Sequence, residues 1–249
     1  MWHGRTVSIV LPTYNERDSI RQSIEEIVAT GVADEIIVVN NNAATGTSEE
    51  VAKTSAREVL ETRQGYGNAI RRGFKESIGD ILIVSEPDGT FLGRDILKLL
   101  AYADDFDVVY GSRTARMFIW RGANMGLFLR WGNWAVAKLM EFLFNSTNLT
   151  DVGCTMRLIH RRALDRIEPG FRIGGSSFGP EMMILSLLSD LKVIQIPVNY
   201  LPRVGESSVT GDFGKAFGLG MTMIGLVLRY RLLSWVRPRK KIAQTGDVA

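Results

Sequence analysis

Between residues 6 and 110, short runs rich in Val and Ile alternate with segments of helical period, and no other feature restricts the possible folds as much. Residues 6–11, 35–39, 57–60, 81–84 and 107–110 read as buried strands. A helix is expected over 16–30, where Ile20, Ile24, Ile27 and Val28 fall on one face. Thr47 or Ser48 caps a second, and a further helix is expected over about 94–103. The pattern predicts an α/β, Rossmann-like fold, a mostly parallel sheet flanked by helices on both faces. With 249 residues, 45% of them hydrophobic, the chain can bury the core such a domain needs.

The fourth apolar run belongs to ILIVSEPDGTF, which stops abruptly at Glu86, Asp88 and a glycine. Ligands of open α/β sheets collect at the carboxyl ends of strands, so both carboxylates are expected at the mouth of a cleft. Carboxylates so placed suit a divalent cation held against a diphosphate, since Mg²⁺ takes only one or two protein carboxylates and completes its shell with phosphate oxygens and water. A solvated turn opening the next helix is the alternative. With only His3 and His160 in the chain, histidine chemistry offers little. The single cysteine, Cys154, excludes an internal disulfide and fits a reducing compartment. No secretory signal is expected in the short polar lead MWHGR.

Beyond Arg116 the composition shifts to tryptophan, phenylalanine and arginine, and Leu127, Trp131 and Trp134 suggest a long helix with a wide apolar face. Such a face suits either a bilayer interface or the cover of a sheet. A strand is expected over 150–161, a helix over 178–189 with Glu181 in its first turn, and a strand over 191–201 whose Pro197 places it at an edge or bulge. The run 216–228 has thirteen uncharged residues, whereas a membrane span needs roughly 20. An amphipathic, membrane-associating C-terminal helix is therefore expected, and six basic residues between Arg229 and Lys241 suggest an anionic surface. The domain division expected is 1–210 and 211–249.

Taken in order, LPTYNE at 11–16, the loop after the second strand, GYGNAIRRG, the acidic pair, YGSR and the late RVGESS segment resemble family 2 glycosyltransferases of the GT-A fold. Among these the chain is most similar to polyprenyl-phosphate sugar synthases of the dolichol-phosphate mannosyltransferase type. The resemblance implies an inverting enzyme that moves a sugar from a GDP- or UDP-sugar to a polyprenyl phosphate, using Mg²⁺ or Mn²⁺. It also implies action at the cytoplasmic face of the cell membrane, peripheral or monotopic, with no nucleic-acid partner. Oligomeric state is left open.

On the matching positions, Pro12, Tyr14, Glu16, Asn40, Asn42, Gly67, Glu86 and Asp88 are implied at the nucleotide, and Asp88, Glu86 and Thr90 at the metal. Arg113, Arg157, Arg203 and Ser207 are implied at the acceptor phosphate, which planar guanidinium groups suit by pairing two oxygens at once. Catalysis is assigned to Asp88, Arg113, Arg203 and Glu181. A phosphate acceptor is already ionised and needs no strong base. A saccharide or small-molecule hydroxyl would need Glu181 or Asp151 as one. The chain departs from the family at Asn40, Asn41 and Asn42, where paired aspartates are usual, and in having Glu86-Pro-Asp88 for Asp-x-Asp. The first departure keeps a non-catalytic, nucleotide-sugar-binding protein as a further alternative.

Overall fold

Alternate side chains of each strand bury on opposite faces of one sheet, and both faces are covered, which is why the strands read as unbroken apolar runs. The computed structural model describes residues 1–146, 148–205 and 213–236. Its strands are β1 (Val7–Thr13), β2 (Glu35–Asn40), β3 (Arg57–Leu60), β4 (Ile81–Val84), β5 (Val108–Ser112), β6 (Arg157–His160) and β7 (Val193–Pro197). They lie in the order β3-β2-β1-β4-β6-β5-β7. All run parallel except β6, which is antiparallel to both β4 and β5. The expected α/β, mostly parallel GT-A architecture is thus present, with β7 and its Pro197 at the sheet edge.

The helices are α1 (Arg17–Val28), α2 (Thr47–Val51), α3 (Tyr66–Glu76), α4 (Asp95–Leu100), α5 (Leu127–Phe144), α6 (Arg161–Ile167), α7 (Phe178–Leu188) and α8 (Phe213–Val236). Ile9, Leu11, Ile81 and Ile83 pack on α1 and α4, through Ile20, Ile24, Ile96 and Leu99. Val10, Val39, Leu82 and Val84 face the other layer, which holds Phe74 of α3, Met140 of α5, Leu164 of α6, Met182 of α7 and Val227 of α8. Helix α8 therefore contributes Met223 and Val227 to the main core.

The strand expected over 150–161 begins only at Arg157. The Asp151 carboxylate accepts the Arg113 and Gly153 amides, so this segment satisfies backbone donors through a side chain instead of a strand ladder. Two threaded contacts then shape the cleft. The Leu201 and Val204 amides donate to the Thr90 and Asp88 carbonyls, which lays residues 200–204 across the loop after β4. Gly89 in that loop has φ +79°, a conformation that favours glycine.

Candidate active site

The ends of β1 and β4 carry acids, and the 200–204 segment carries a cation between them. Arg203 Nη2 donates to Glu16 Oε1 at 2.6 Å, and its Nη1 lies 2.9 Å from Asp88 Oδ2. The other Glu16 oxygen accepts the Tyr14 and Asn15 amides at 2.6 and 2.8 Å, holding the turn into α1. Asp88 is buried, and its Oδ1 accepts both the amide and the hydroxyl of Thr90. Thr90 thus orients Asp88. Glu86 sits beside this group, and its pKa is pushed up to about 7, first by burial and then by the charge of Asp88.

Two more guanidinium groups complete the charged end. Arg113 forks onto Asp151, with Nε at 3.0 Å and Nη2 at 3.2 Å, and lies over the Tyr200 ring. Burial works against ionising Asp151, but the Arg113 charge and hydrogen bonds outweigh it and hold the carboxyl below its ordinary range. Arg157 is fully buried, and its donors reach the carbonyls of Cys154, Thr155 and Gly179. No carboxylate pairs with it among the described residues; those carbonyls and the face of the Tyr110 ring surround its charge. Gly179 makes room for it: a Cβ there would stand 2.8 Å from Arg157 Nη2.

Glu86, Asp88, Arg113, Arg157 and Arg203 all line one cavity of about 400 Å³. The opposite wall is apolar, formed by Phe128, Leu129 and Val136 of α5 with Leu219, Met223 and Ile224 of α8. Gly132 and Gly220 face the same space, and a Cβ at either would meet nothing within 4 Å. The cavity therefore joins a cluster of guanidinium and carboxylate groups to an apolar groove between two helices.

Other expected residues lie apart from this cavity. Glu181 is buried and accepts the Arg172 and Ile173 amides and the Tyr230 hydroxyl, the last at 2.6 Å. Its carboxylate ties α7 to the loop before it and to α8, so it is committed to structure. Asp151, held by Arg113, is likewise not free to act as a base. Asn40 bonds Glu58 and the Ala43 amide, and Asn41 bonds the Glu61 and Arg63 carbonyls and the Gly65 amide. Asn42 is exposed and donates to Gln64. Pro12 ends β1, and Tyr14 is exposed at the rim beside Glu16. Gly67 packs against the 173–174 backbone, since a Cβ would come within 2.7 Å of the Ile173 carbonyl oxygen. That close packing by itself requires the glycine. Ser207 and the basic residues after Val236 lie outside the described residues.

The side chains of Thr155 and Tyr200 also line the cavity and were not assigned from the sequence, while Tyr66, which lines it too, belongs to the GYG segment that the family pattern marked. Thr155 had one visible signal, a lone hydroxyl two residues before the Arg157 that the motif pattern marked. Tyr200 had none, because its segment is carried to the site by pairing with residues 118–120 and with the loop after β4.

Among the described residues no group of three His, Cys, Asp or Glu side chains is arranged to hold a metal alone. The donor set still fits a divalent ion that shares its shell with phosphate. Glu16, Glu86 and Asp88 surround a single guanidinium, so carboxylates outnumber the cation among them.

The glycosyl transferase family 2 model matches residues 8–168. The low-salt glycan biosynthesis hexosyltransferase of Haloferax volcanii is 28% identical over 252 residues, covering 92% of this chain, which spans only 60% of that protein. The dolichyl-phosphate hexose transferase of the same organism is 28% identical over 230 residues, covering 91% of this chain and 96% of its own length. Glucosyl-3-phosphoglycerate synthase from Mycobacterium tuberculosis, crystallised with Mn²⁺, UDP-glucose and phosphoglyceric acid, superposes with a TM-score of 0.70. That likeness, at 20% identity over 92% of this chain and 80% of the other, is one of fold.

Proposed function

This chain belongs to glycosyl transferase family 2 and is a nucleotide-sugar-dependent glycosyltransferase, and we propose that it passes one sugar to the phosphate of a polyprenyl-phosphate lipid. The observation that carries this reading is the shape of the cavity, with guanidinium groups at one end and the apolar α5–α8 wall along its side. An isoprenoid phosphate has that same division of charge and hydrocarbon. A relative named for dolichyl phosphate, matched over nearly its whole length, supports the same acceptor class.

In this mechanism Arg157, which has no carboxylate partner among the described residues, and Arg113, fixed by Asp151 and Tyr200, attract and orient the acceptor phosphate. The phosphate oxygen attacks the anomeric carbon without a general base, and inversion follows from attack opposite the leaving diphosphate. Arg203 offers its charge to that diphosphate, guided by Glu16. Asp88, oriented by Thr90, and Glu86 would hold Mg²⁺ or Mn²⁺. When bound, the ion offsets the charge that develops on the departing diphosphate. Mn²⁺ in the structural neighbour's complex supports a divalent ion here.

Attachment to a membrane surface accompanies this reading. Among the described residues no helix is long and apolar enough to cross a membrane. Instead α5 exposes Leu127, Trp131, Trp134 and Phe142, while α8 exposes Phe217, Met221, Leu228 and Leu232. Packed beside one another, the two helices present exposed apolar side chains, as an interfacial protein would. The site would then work at the cytoplasmic face.

One observation favours a second reading. A Glu86 titrating near neutral pH could act as a base towards a hydroxyl acceptor. The two readings separate in one experiment, in which labelled UDP- and GDP-sugars are incubated with the protein, Mg²⁺ or Mn²⁺ and a membrane extract. Label in the organic phase, as a product labile to mild acid, is expected. Label confined to water-soluble products would overturn the lipid acceptor.

A further inference from the structure

Two hydroxyls in the wall of this cavity reach no hydrogen-bond partner beyond each other. Tyr66 Oη and Thr155 Oγ1 are buried, lie beside one another without a well-formed bond, and meet no other partner among the described residues. Buried polar groups in native proteins are almost always satisfied, so a pair left open at a substrate cavity marks a place that a ligand completes. The backbone fixes both positions. Tyr66 opens α3 directly after Gly65, whose φ of +139° and close approach to the Gly174 carbonyl set the direction of the turn. Thr155 precedes β6 by two residues, and its carbonyl is already used by Arg157.

The surrounding charge narrows the ligand. Burial, and then the Glu86 carboxylate, hold the Tyr66 phenol well above its ordinary pKa, with Arg157 acting in the opposite sense. Tyr66 therefore keeps its proton and can both donate and accept. Neither side chain carries a charge to offset a phosphate, whereas a neutral hydroxyl, itself donor and acceptor, matches both. We propose that Tyr66 and Thr155 are specificity-determining residues that hydrogen-bond a hydroxyl of the sugar being transferred. The inference rests on the reading that this cavity receives the nucleotide-sugar donor, and it is independent of the acceptor. A site built to bond a hydroxyl strongly rejects the analogue that lacks it, because its own buried groups are then left unpaired.

The test is calorimetric binding of UDP- and GDP-hexoses, of their derivatives lacking one sugar hydroxyl each, and of the bare nucleoside diphosphates, to the full chain. Wild type is expected to bind one hexose donor about tenfold or more tightly than one particular deoxy derivative. Tyr66→Phe and Thr155→Val are expected to erase that ratio while leaving nucleoside diphosphate affinity unchanged, and Thr155→Ser to preserve it. The proposal is overturned if both variants keep the wild-type ratio for every derivative. It is equally overturned if they weaken nucleoside diphosphate and nucleotide sugar alike, or if wild type binds no sugar nucleotide more tightly than its diphosphate. Because no acceptor is present, a wrong lipid assignment leaves this result intact and shows itself only in the transfer assay.

Discussion

Arg203 stands among three carboxylates, and the imbalance has measurable consequences at single residues. Folded Glu86 keeps its proton to about pH 7, while the unfolded chain releases it near the ordinary value of 4.5. Between those limits the folded state binds more protons, so the contribution of Glu86 to stability falls as pH rises and stays at its lowest above 7. Without divalent metal, Glu86→Gln should therefore be more stable than wild type at pH 8, by up to about 3 kcal/mol, and equal to it near pH 4.5. Thermal unfolding in EDTA across that range checks the sign. Asp151 behaves in the opposite way. Removing its charge leaves Arg113 buried without a partner, and Asp151→Asn should cost about 3–5 kcal/mol in urea unfolding. A role as catalytic base would instead lower kcat with stability untouched. Glu181→Gln should cost about 1–3 kcal/mol, through the lost charge that accepts two amides and the Tyr230 hydroxyl, and retain transfer within a few-fold.

At the scale of elements, the groove runs between α5 and α8, with a glycine of each helix in its wall. Gly132 and Gly220 line it with open space above their Cα atoms, so a larger side chain enters the groove without striking the fold. Gly220→Leu and Gly132→Leu should each lower transfer to lipid by about tenfold or more, since a branched side chain fills much of a narrow apolar channel. Calorimetric affinity for the nucleotide sugar should not change. If both variants transfer to lipid at the wild-type rate, the acceptor does not lie between these helices. Motifs in the sequence marked both ends of this arrangement, but helix α5 alone read equally well as a cover for the sheet. It does both: Val136, Ala137 and Met140 are buried, while Trp131 and Phe142, on another face, are exposed.

Over the whole molecule, polar chemistry gathers where the strands end, and exposed apolar side chains gather on two neighbouring helices. Trp131 and Phe142 are 60% and 83% exposed, and they share one stripe of α5. Replacing both with serine should reduce co-sedimentation with anionic phospholipid vesicles by about tenfold or more, as loss of two inserting aromatic side chains implies. Unchanged sedimentation would show that the membrane is met by another surface.

The alternation of apolar runs and helical segments determined the layered α/β fold, because a strand buried on both faces admits few other side chains. Local pattern also determined the acidic turn after β4, since an apolar run that stops at two acids must end near solvent or a ligand. Sequence spacing could not assign partners to charged groups far apart in the chain. Only the tertiary structure decided that Asp151 neutralises Arg113, that Glu181 braces α7 and α8, and that Arg157 lines the cavity with its donors on backbone carbonyls. In each case the deciding quantity is which opposite charge or amide lies within hydrogen-bonding reach. Distance in space sets that reach, and the linear sequence does not record it.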